Sequence, residues 1–135
     1  MIQYQIENNL SATEFQELLI KSTLAERRPI DDFERIKAMV ENANLIITAR
    51  DDDKLIGVAR SITDFVYCTY LSDLAVDEDY QRQGIGKKLI RLTKKQTPKA
   101  TTILLSAPKA VEYYPRIGME KHNACFLLKD EADLK

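Results

Sequence analysis

The segment Leu71 to Ile90, LSDLAVDEDYQRQGIGKKLI, constrains the chain more than any other. Leu71 to Val76 reads as a strand, Asp77 to Asp79 as a charged turn, and Gln81-Arg82-Gln83-Gly84-Ile85-Gly86 as the entry to a helix. A junction of this kind is a phosphate cradle. The first backbone N–H groups of a helix lack intrahelical partners and carry the positive end of the macrodipole, so an anion there gains hydrogen bonds and charge together. Glycine at 84 and 86 has no side chain to hold a phosphate off the backbone. Arg82, Lys87 and Lys88 bring positive charge to the same point.

Spacing separates three kinds of nucleotide loop. A Walker A loop ending at Gly86-Lys87 would need glycine at 81 and Ser or Thr at 88, where the chain has Gln81 and Lys88. A dinucleotide fingerprint would need a third glycine where Leu89 stands, and it normally follows the first strand of a domain. What remains is Gln/Arg-x-x-Gly-x-Gly/Ala after a strand and a short acidic turn. With its flanks, Leu74-Ala75-Val76-Asp77 and Tyr80-Gln81, this resembles the acyl-CoA pyrophosphate loop of the GNAT superfamily of N-acetyltransferases. The resemblance implies that Gln81, Arg82, Gln83, Gly84, Ile85, Gly86 and Lys87 hold the pyrophosphate of acetyl-CoA. It also implies that Leu74, Ala75 and Val76 position the pantetheine.

At 135 residues the chain fits one domain, 1–135. A formal net charge of -1 provides no overall field for nucleic acid or an anionic membrane, and no apolar run approaches the ~20 residues that span a bilayer. The N-terminal residues MIQYQIENNL lack the pattern of a secretory signal, so a cytoplasmic location is expected. Cys68 and Cys125 are not closely spaced, and His122 is the single histidine, so a two-Cys, two-His zinc site cannot be built and no metal is expected. Both cysteines read as small, partly buried hydrophobes.

Along the chain, Ile2, Tyr4 and Ile6 alternate as a first strand. Ser11-Ala12-Thr13-Glu14 is a capping box, and Leu10 and Phe15 stand where the hydrophobic staple requires them. The helix this opens ends before Arg27-Arg28-Pro29, and Asp31 or Asp32 caps a second helix with Phe33, Ile36, Val40 and Ala43 on its apolar stripe. Leu45 to Ala49, Leu55 to Thr63 and Tyr67 to Val76 read as three successive strands. The Asp51-Asp52-Asp53-Lys54 turn between the first two lacks the spacing of a calcium loop. After the glycine loop, Ile85, Leu89 and Leu92 line a helix that Thr97-Pro98 stops. Thr102 to Ser106 follows as a strand, Pro108 to about Tyr114 as a helix with Gly118 at its exit, and Cys125 to Lys129 as a last strand. This order predicts an α/β fold, a mixed sheet of about six strands with helices on both faces. It is also similar to the element order of the GNAT fold, in which the strand before the loop and the strand after the helix splay around the pantetheine.

The resemblance implies acetyl transfer from acetyl-CoA, as co-substrate, to a primary amine. Most of an alkyl amine with a pKa near ~10.4 is protonated at neutral pH and must lose a proton before attack; the thiolate leaving group then needs one. Tyr114, in Tyr113-Tyr114-Pro115-Arg116-Ile117-Gly118-Met119, aligns with the general-acid tyrosine of the family's Tyr-x-x-x-Gly-Phe signature, Met119 replacing the aromatic. Backbone N–H near Leu74 to Val76 would hold the oxyanion. The chain departs from the family at Ala107, where many members carry asparagine, and at Tyr70, where some protein-acetylating members carry an acidic base. A water chain ending at Asp73 or Tyr70 is the alternative to a side-chain base.

The family's acceptor specificity lies between the first two helices, here Leu24 to Asp32. Arg27 and Arg28 there suit a carboxylate or phosphate, and surface charge is the competing reading; Arg60 and Arg116 are weaker candidates. The partner expected is a small-molecule or peptide amine, and monomer and homodimer are both open. A non-catalytic acyl-CoA-binding sensor or interaction module is the alternative function.

Overall fold

The computed structural model of the chain describes residues 1–135, in two compact units, Met1–Leu105 and Ser106–Lys135. In the first, β1 (Ile2–Ile6) is followed by α1 (Ala12–Lys21), a 3₁₀ turn at Leu24–Arg27, α2 (Phe33–Asn42), β2 (Leu45–Asp51), β3 (Lys54–Thr63), β4 (Cys68–Val76), α3 (Ile85–Gln96) and β5 (Thr101–Ile103). The five strands form one sheet in the order β1-β2-β3-β4-β5, antiparallel except for the β4–β5 pair. The α/β sheet expected from the sequence is present, with five strands rather than six.

α1 begins as its capping box requires: the Ser11 hydroxyl accepts the Glu14 N–H at 3.3 Å, and Leu10 and Phe15 are both buried in the core. The Glu14 carboxylate does not close the box; it takes Arg50 Nη1 at 2.7 Å instead. Asp32 caps α2 by accepting the Arg35 N–H at 3.1 Å. Ile36, Val40 and Ala43 are buried as the stripe predicts, but Phe33 at its start remains 39% exposed.

Alternation along the strands splits the core into two layers. α1 and α2 pack with Ile46, Val58 and Ala75 on one face, and Ile85 and Leu89 of α3 pack with Ile47, Ala59 and Leu71 on the other. That Leu71 and Ala75 face opposite ways follows from a bulge: Arg60 pairs with Asp73 but Ser61 with Leu71, leaving Ser72 as an extra residue on β4. α3 sits close on the sheet because position 57 is glycine. A Cβ there would lie 3.2 Å from both Ile85 Cγ2 and Leu89 Cδ1 and 3.3 Å from Ala49 Cβ.

The second unit holds a 3₁₀ turn at Pro108–Ala110 and a short α4 (Tyr113–Arg116), where a single helix was expected. Gly118 takes φ 102° just past α4, and the Met119 N–H returns to Tyr114 O at 3.0 Å, the left-handed exit foreseen for this glycine. Cys125 to Lys129 does not form the expected strand. Its apolar composition suits one, but no neighbouring strand pairs with its backbone, and Phe126 is 89% exposed. Both cysteines are exposed, which corrects the expectation of partial burial. No helix is long and apolar enough to cross a membrane.

Candidate acyl-CoA site

Two features of the first unit meet at the carboxyl end of β4. β5 pairs with β4 only from Cys68↔Thr101 to Tyr70↔Ile103, so on that side the backbone from Leu71 to Val76 has no strand partner. Pairing along this edge therefore stops short of the glycine loop, and earlier than the sequence implied because β5 ends at Ile103 rather than Ser106. Beyond Val76 the chain passes through a 3₁₀ turn at Glu78–Tyr80 into the glycine loop.

Two residues of that loop lie in the left-handed region, Arg82 at φ 64° and Gly84 at φ 81°. For glycine this costs little; for arginine it is strained backbone that its surroundings must hold. Gly84 is the N-cap of α3, and it makes no side-chain cap, so the first turn is left open. The helical ladder begins with the Lys88 N–H on Gly84 O at 3.0 Å, and the N–H groups of residues 82 to 87 make no hydrogen bond within the chain. A Cβ built on Gly84 would meet nothing within 4 Å, whereas one on Gly86 would rest 3.9 Å from Leu74 Cδ2 and Val76 Cγ2. The open space thus lies in front of Gly84, and Gly86 brings the loop onto the end of β4. Arg82, Gln83 and Lys87 are exposed, and Ile85 is buried as the first core residue of α3. The exposed Gln81 side chain folds back on the end of β4, its Nε2 donating to Val76 O at 3.0 Å.

The acceptor candidates separate. Arg27 is exposed at the end of its 3₁₀ turn, but Arg28 is tied down: Nε donates to Asp73 Oδ1 at 2.5 Å, Nη2 to Ser72 O at 2.8 Å and Nη1 to Arg27 O at 2.9 Å. Asp73 is wholly buried and also takes Arg60 Nε. Arg60 in turn donates to Met39 O at 3.0 Å, near the C-terminal end of α2, and to Ser72 Oγ at 3.0 Å. Asp73 is therefore an ion-pair partner, and Arg60 is no longer free to bind an acceptor. Tyr70 is 38% exposed at the last β4–β5 pair. In the second unit, Tyr114 packs edge-on against Tyr113 with ring centroids 5.3 Å apart, and burial pushes its phenol pKa above the ordinary value, with Tyr113 adding to the rise.

Sequence reasoning did not find the anchors of the loop. The Tyr80 hydroxyl donates to Asp51 Oδ2 at 2.6 Å, across the sheet from the β2–β3 turn, and this bond holds the Asp51 carboxyl below and the Tyr80 phenol above their usual ranges. Nor did it find Gly57, whose only signal is a glycine inside a strand, a mark of close backbone approach.

A strand with a free edge, a turn and a helix start whose first N–H groups have no partner are what the resemblance called for, and the family comparison agrees. A family model described as an acetyltransferase (GNAT) domain matches residues 14–127. The chain belongs to the GNAT acetyltransferase family. Among curated relatives, an uncharacterised N-acetyltransferase of Pyropia yezoensis is 28% identical over 102 residues, covering 70% of this chain and 57% of its own. A histone acetyltransferase of Glycine max is 29% identical over 109 residues, covering 70% of this chain and 46% of its own. The chain thus spans about half the length of these relatives. A GNAT-family acetyltransferase from Streptococcus pneumoniae superposes with a TM-score of 0.75 at 22% identity, over 96% of this chain and all of the other. An aminoglycoside N-acetyltransferase solved with CoA superposes at 0.73 with 14% identity, over 97% and 95% of the two chains. At such identities these two establish the fold.

Proposed function

We infer that residues 1–135 act as one N-acetyltransferase domain that moves an acetyl group from acetyl-CoA to a primary amine by direct attack. The observation that carries this reading is the run of backbone N–H groups from Arg82 to Lys87, without acceptors in the chain and facing open space at Gly84. The donor set fits a pyrophosphate: neutral N–H groups, a helix N-terminus, and the exposed cations Arg82 and Lys87, neither of which is in an ion pair.

When bound, acetyl-CoA supplies the activated thioester. The chain's residues do the rest. Residues 82 to 87 hold the pyrophosphate, and the unpaired edge of β4 at Leu74, Ala75 and Val76 offers backbone groups to the pantetheine amides and the thioester carbonyl. Tyr114 donates its phenolic proton to the departing sulfur, a role that its raised pKa keeps it in at neutral pH, since the phenol stays protonated. With Asp73 locked between two arginines, removal of the amine proton falls to water, with Tyr70 as the remaining candidate to orient it. We place the acceptor beside the Leu24–Arg27 turn, where Arg27 and the two guanidinium N–H groups that Arg28 leaves free suit a small amine or peptide carrying an acidic group. The aminoglycoside enzyme and a ribosomal-protein-alanine N-acetyltransferase among the structural relatives act on small-molecule and protein amines respectively, so either class of acceptor is compatible with the fold. A cytoplasmic location fits this chemistry, although one relative is a chloroplastic protein of Arabidopsis thaliana.

The test is release of free thiol from acetyl-CoA in the presence of a panel of amines. Amine-dependent release supports catalysis. Tight CoA binding without release for any amine, peptide N-termini included, would instead support an acyl-CoA-binding module.

A further inference from the structure

The turn Asp51-Asp52-Asp53-Lys54 between β2 and β3 lies opposite the approach to the glycine loop and is tied to it repeatedly. The Tyr80 hydroxyl donates to Asp51 Oδ2 at 2.6 Å, Lys54 Nζ lies 3.9 Å from Asp77 Oδ2 and 5.4 Å from the centre of the Tyr80 ring, and the Asp77 N–H donates to Ile56 O at 2.9 Å. Asp77 is itself almost wholly buried, and its Oδ1 accepts the Asp79 N–H at 2.9 Å. The 3₁₀ turn from Glu78 to Tyr80 is thus held at both ends by the hairpin. Two residues later Arg82 stands in the left-handed region at φ 64°. A bulky residue there persists only where neighbouring structure over-determines it. Tyr80 and Gln81 are the last tied side chains before that strain, Tyr80 reaching the hairpin and Gln81 binding back to Val76.

We propose that Asp51 and Tyr80 are positioning residues for the pyrophosphate loop: their hydrogen bond fixes the entry of the chain into residues 82–87, so that these N–H groups converge before any ligand arrives. This rests on the reading of that loop as the acyl-CoA site. The energetic logic is preorganisation. A loop already held in the binding conformation loses little freedom on binding, whereas one released from its anchor must be ordered by the ligand and binds it more weakly. Asp51 touches no ligand in this arrangement, and neither does the Tyr80 hydroxyl; both act through the backbone that follows. The acidic hairpin turn, which has no ligand-binding spacing of its own, thereby acquires a role in cofactor affinity.

The experiment is calorimetric titration of CoA into the full chain and into Tyr80→Phe, Asp51→Ala and the double variant, with the melting temperature of each unliganded protein. Tyr80→Phe is the cleaner single change, because Asp51 Oδ1 also accepts from the Met1 ammonium at 3.3 Å. A hydrogen bond to a charged group predicts a loss of CoA affinity on the order of tenfold for each single variant. The double variant should bind no more weakly than the singles by more than about twofold, because one bond is lost in all three. Unliganded melting temperatures should fall by no more than about 5 °C, and amide exchange at residues 82–87 should quicken. CoA affinity in Tyr80→Phe within about twofold of wild type overturns the proposal, as do losses that multiply in the double variant. Loss of affinity matched by a collapse of the unliganded melting temperature overturns it too, since that marks a general structural role. A wild-type chain that binds no CoA overturns the reading of the loop itself, a different outcome from any of these.

Discussion

Arg28 reaches across 45 positions of sequence to Asp73, placing its Nε 2.5 Å from a carboxylate oxygen that solvent does not reach. The other oxygen takes Arg60, so one buried aspartate holds the α1–α2 connection and β3 against the bulge of β4. The bulged residue is itself gripped by both arginines, through Ser72 O and Ser72 Oγ. Buried ion pairs of this kind contribute little net stability when compared with apolar packing, but removing one partner is costly, because the charge left behind has neither water nor counter-charge.

Asp73→Asn keeps the shape of the side chain and strips the counter-charge from two guanidinium groups, one of them only 5% exposed as a residue. The expected loss is about 3–5 kcal/mol in urea unfolding. Arg28→Met should cost less, about 1–2 kcal/mol, because it leaves Asp73 paired with Arg60. A smaller effect for the aspartate than for the arginine would contradict the arrangement described.

Gly57→Ala tests how α3 is held. The added Cβ would lie 3.2 Å from Ile85 Cγ2 and Leu89 Cδ1, both buried side chains at the start of the helix where we propose the pyrophosphate binds. Overpacking here should destabilise the chain by about 1–3 kcal/mol and also weaken CoA binding, because the helix start is what shifts. Gly84→Ala provides the contrast. Its Cβ meets no protein atom, so the cost to stability should be limited to about 1–2 kcal/mol for an alanine at φ 81°, while CoA binding is lost because the Cβ stands in the ligand's space. An unchanged dissociation constant in a folded Gly84→Ala protein would remove the loop from the site.

The contrast between local and distant interactions explains what the sequence could reveal. The Ser11 cap, the Leu10–Phe15 staple, a cap of α2 at Asp31 or Asp32 and the glycine loop are each decided within a few residues, and each was readable from spacing; the choice of Asp32 came from the structure. The partners of Arg28, Arg60, Asp51 and Tyr80 were not, since pairing across 45 or 29 positions exists only once the sheet has set its register. Ser72 shows the same limit from the other side: nothing in LSDLAV marks a bulge, because the extra residue is defined by how β3 runs opposite it. Cys125 to Lys129 erred in the opposite direction. Its apolar residues have strand character, but a strand also needs a partner for its backbone, which composition cannot supply.

Arg50 links three elements and gives the fold an acid-sensitive joint. Its Nε and Nη2 form a fork onto Glu7 at 3.0 and 2.7 Å, and Nη1 donates to Glu14. Burial by itself would raise the Glu7 pKa, but hydrogen bonds from Arg50, Gln5 and Thr48 outweigh it and hold the carboxyl below its usual range. A carboxylate depressed in the folded state contributes stability that is full above its unfolded pKa, near ~4.3, and is lost as pH falls through the folded value. The stability difference between wild type and Glu7→Gln should therefore be constant from neutral pH to about 5 and shrink below ~4.3, as followed by urea unfolding at each pH. A difference that grew on acidification would have the wrong sign for this network.

Tyr114 provides the test of chemistry as opposed to binding. Tyr114→Phe keeps the ring that packs against Tyr113, so CoA affinity and stability should change little, while turnover on the best amine falls by about 10²–10⁴-fold if the hydroxyl is the general acid. The pH profile sharpens this. An acid must be protonated to act, and burial raises this phenol above its ordinary value, so the Tyr114-dependent part of the rate should persist up to at least pH ~10 and decline only beyond it. The amine acceptor moves the other way, because more of it is neutral as pH rises. Wild-type turnover should therefore climb from neutral pH with the amine's deprotonation and fall again on the alkaline side, whereas Tyr114→Phe should retain the climb without the fall. Steady-state rates across that range, with chemistry shown to be rate-limiting by single-turnover measurement, distinguish the two profiles; equal turnover in both proteins would leave Tyr114 a packing residue and require the leaving thiolate to take its proton from water.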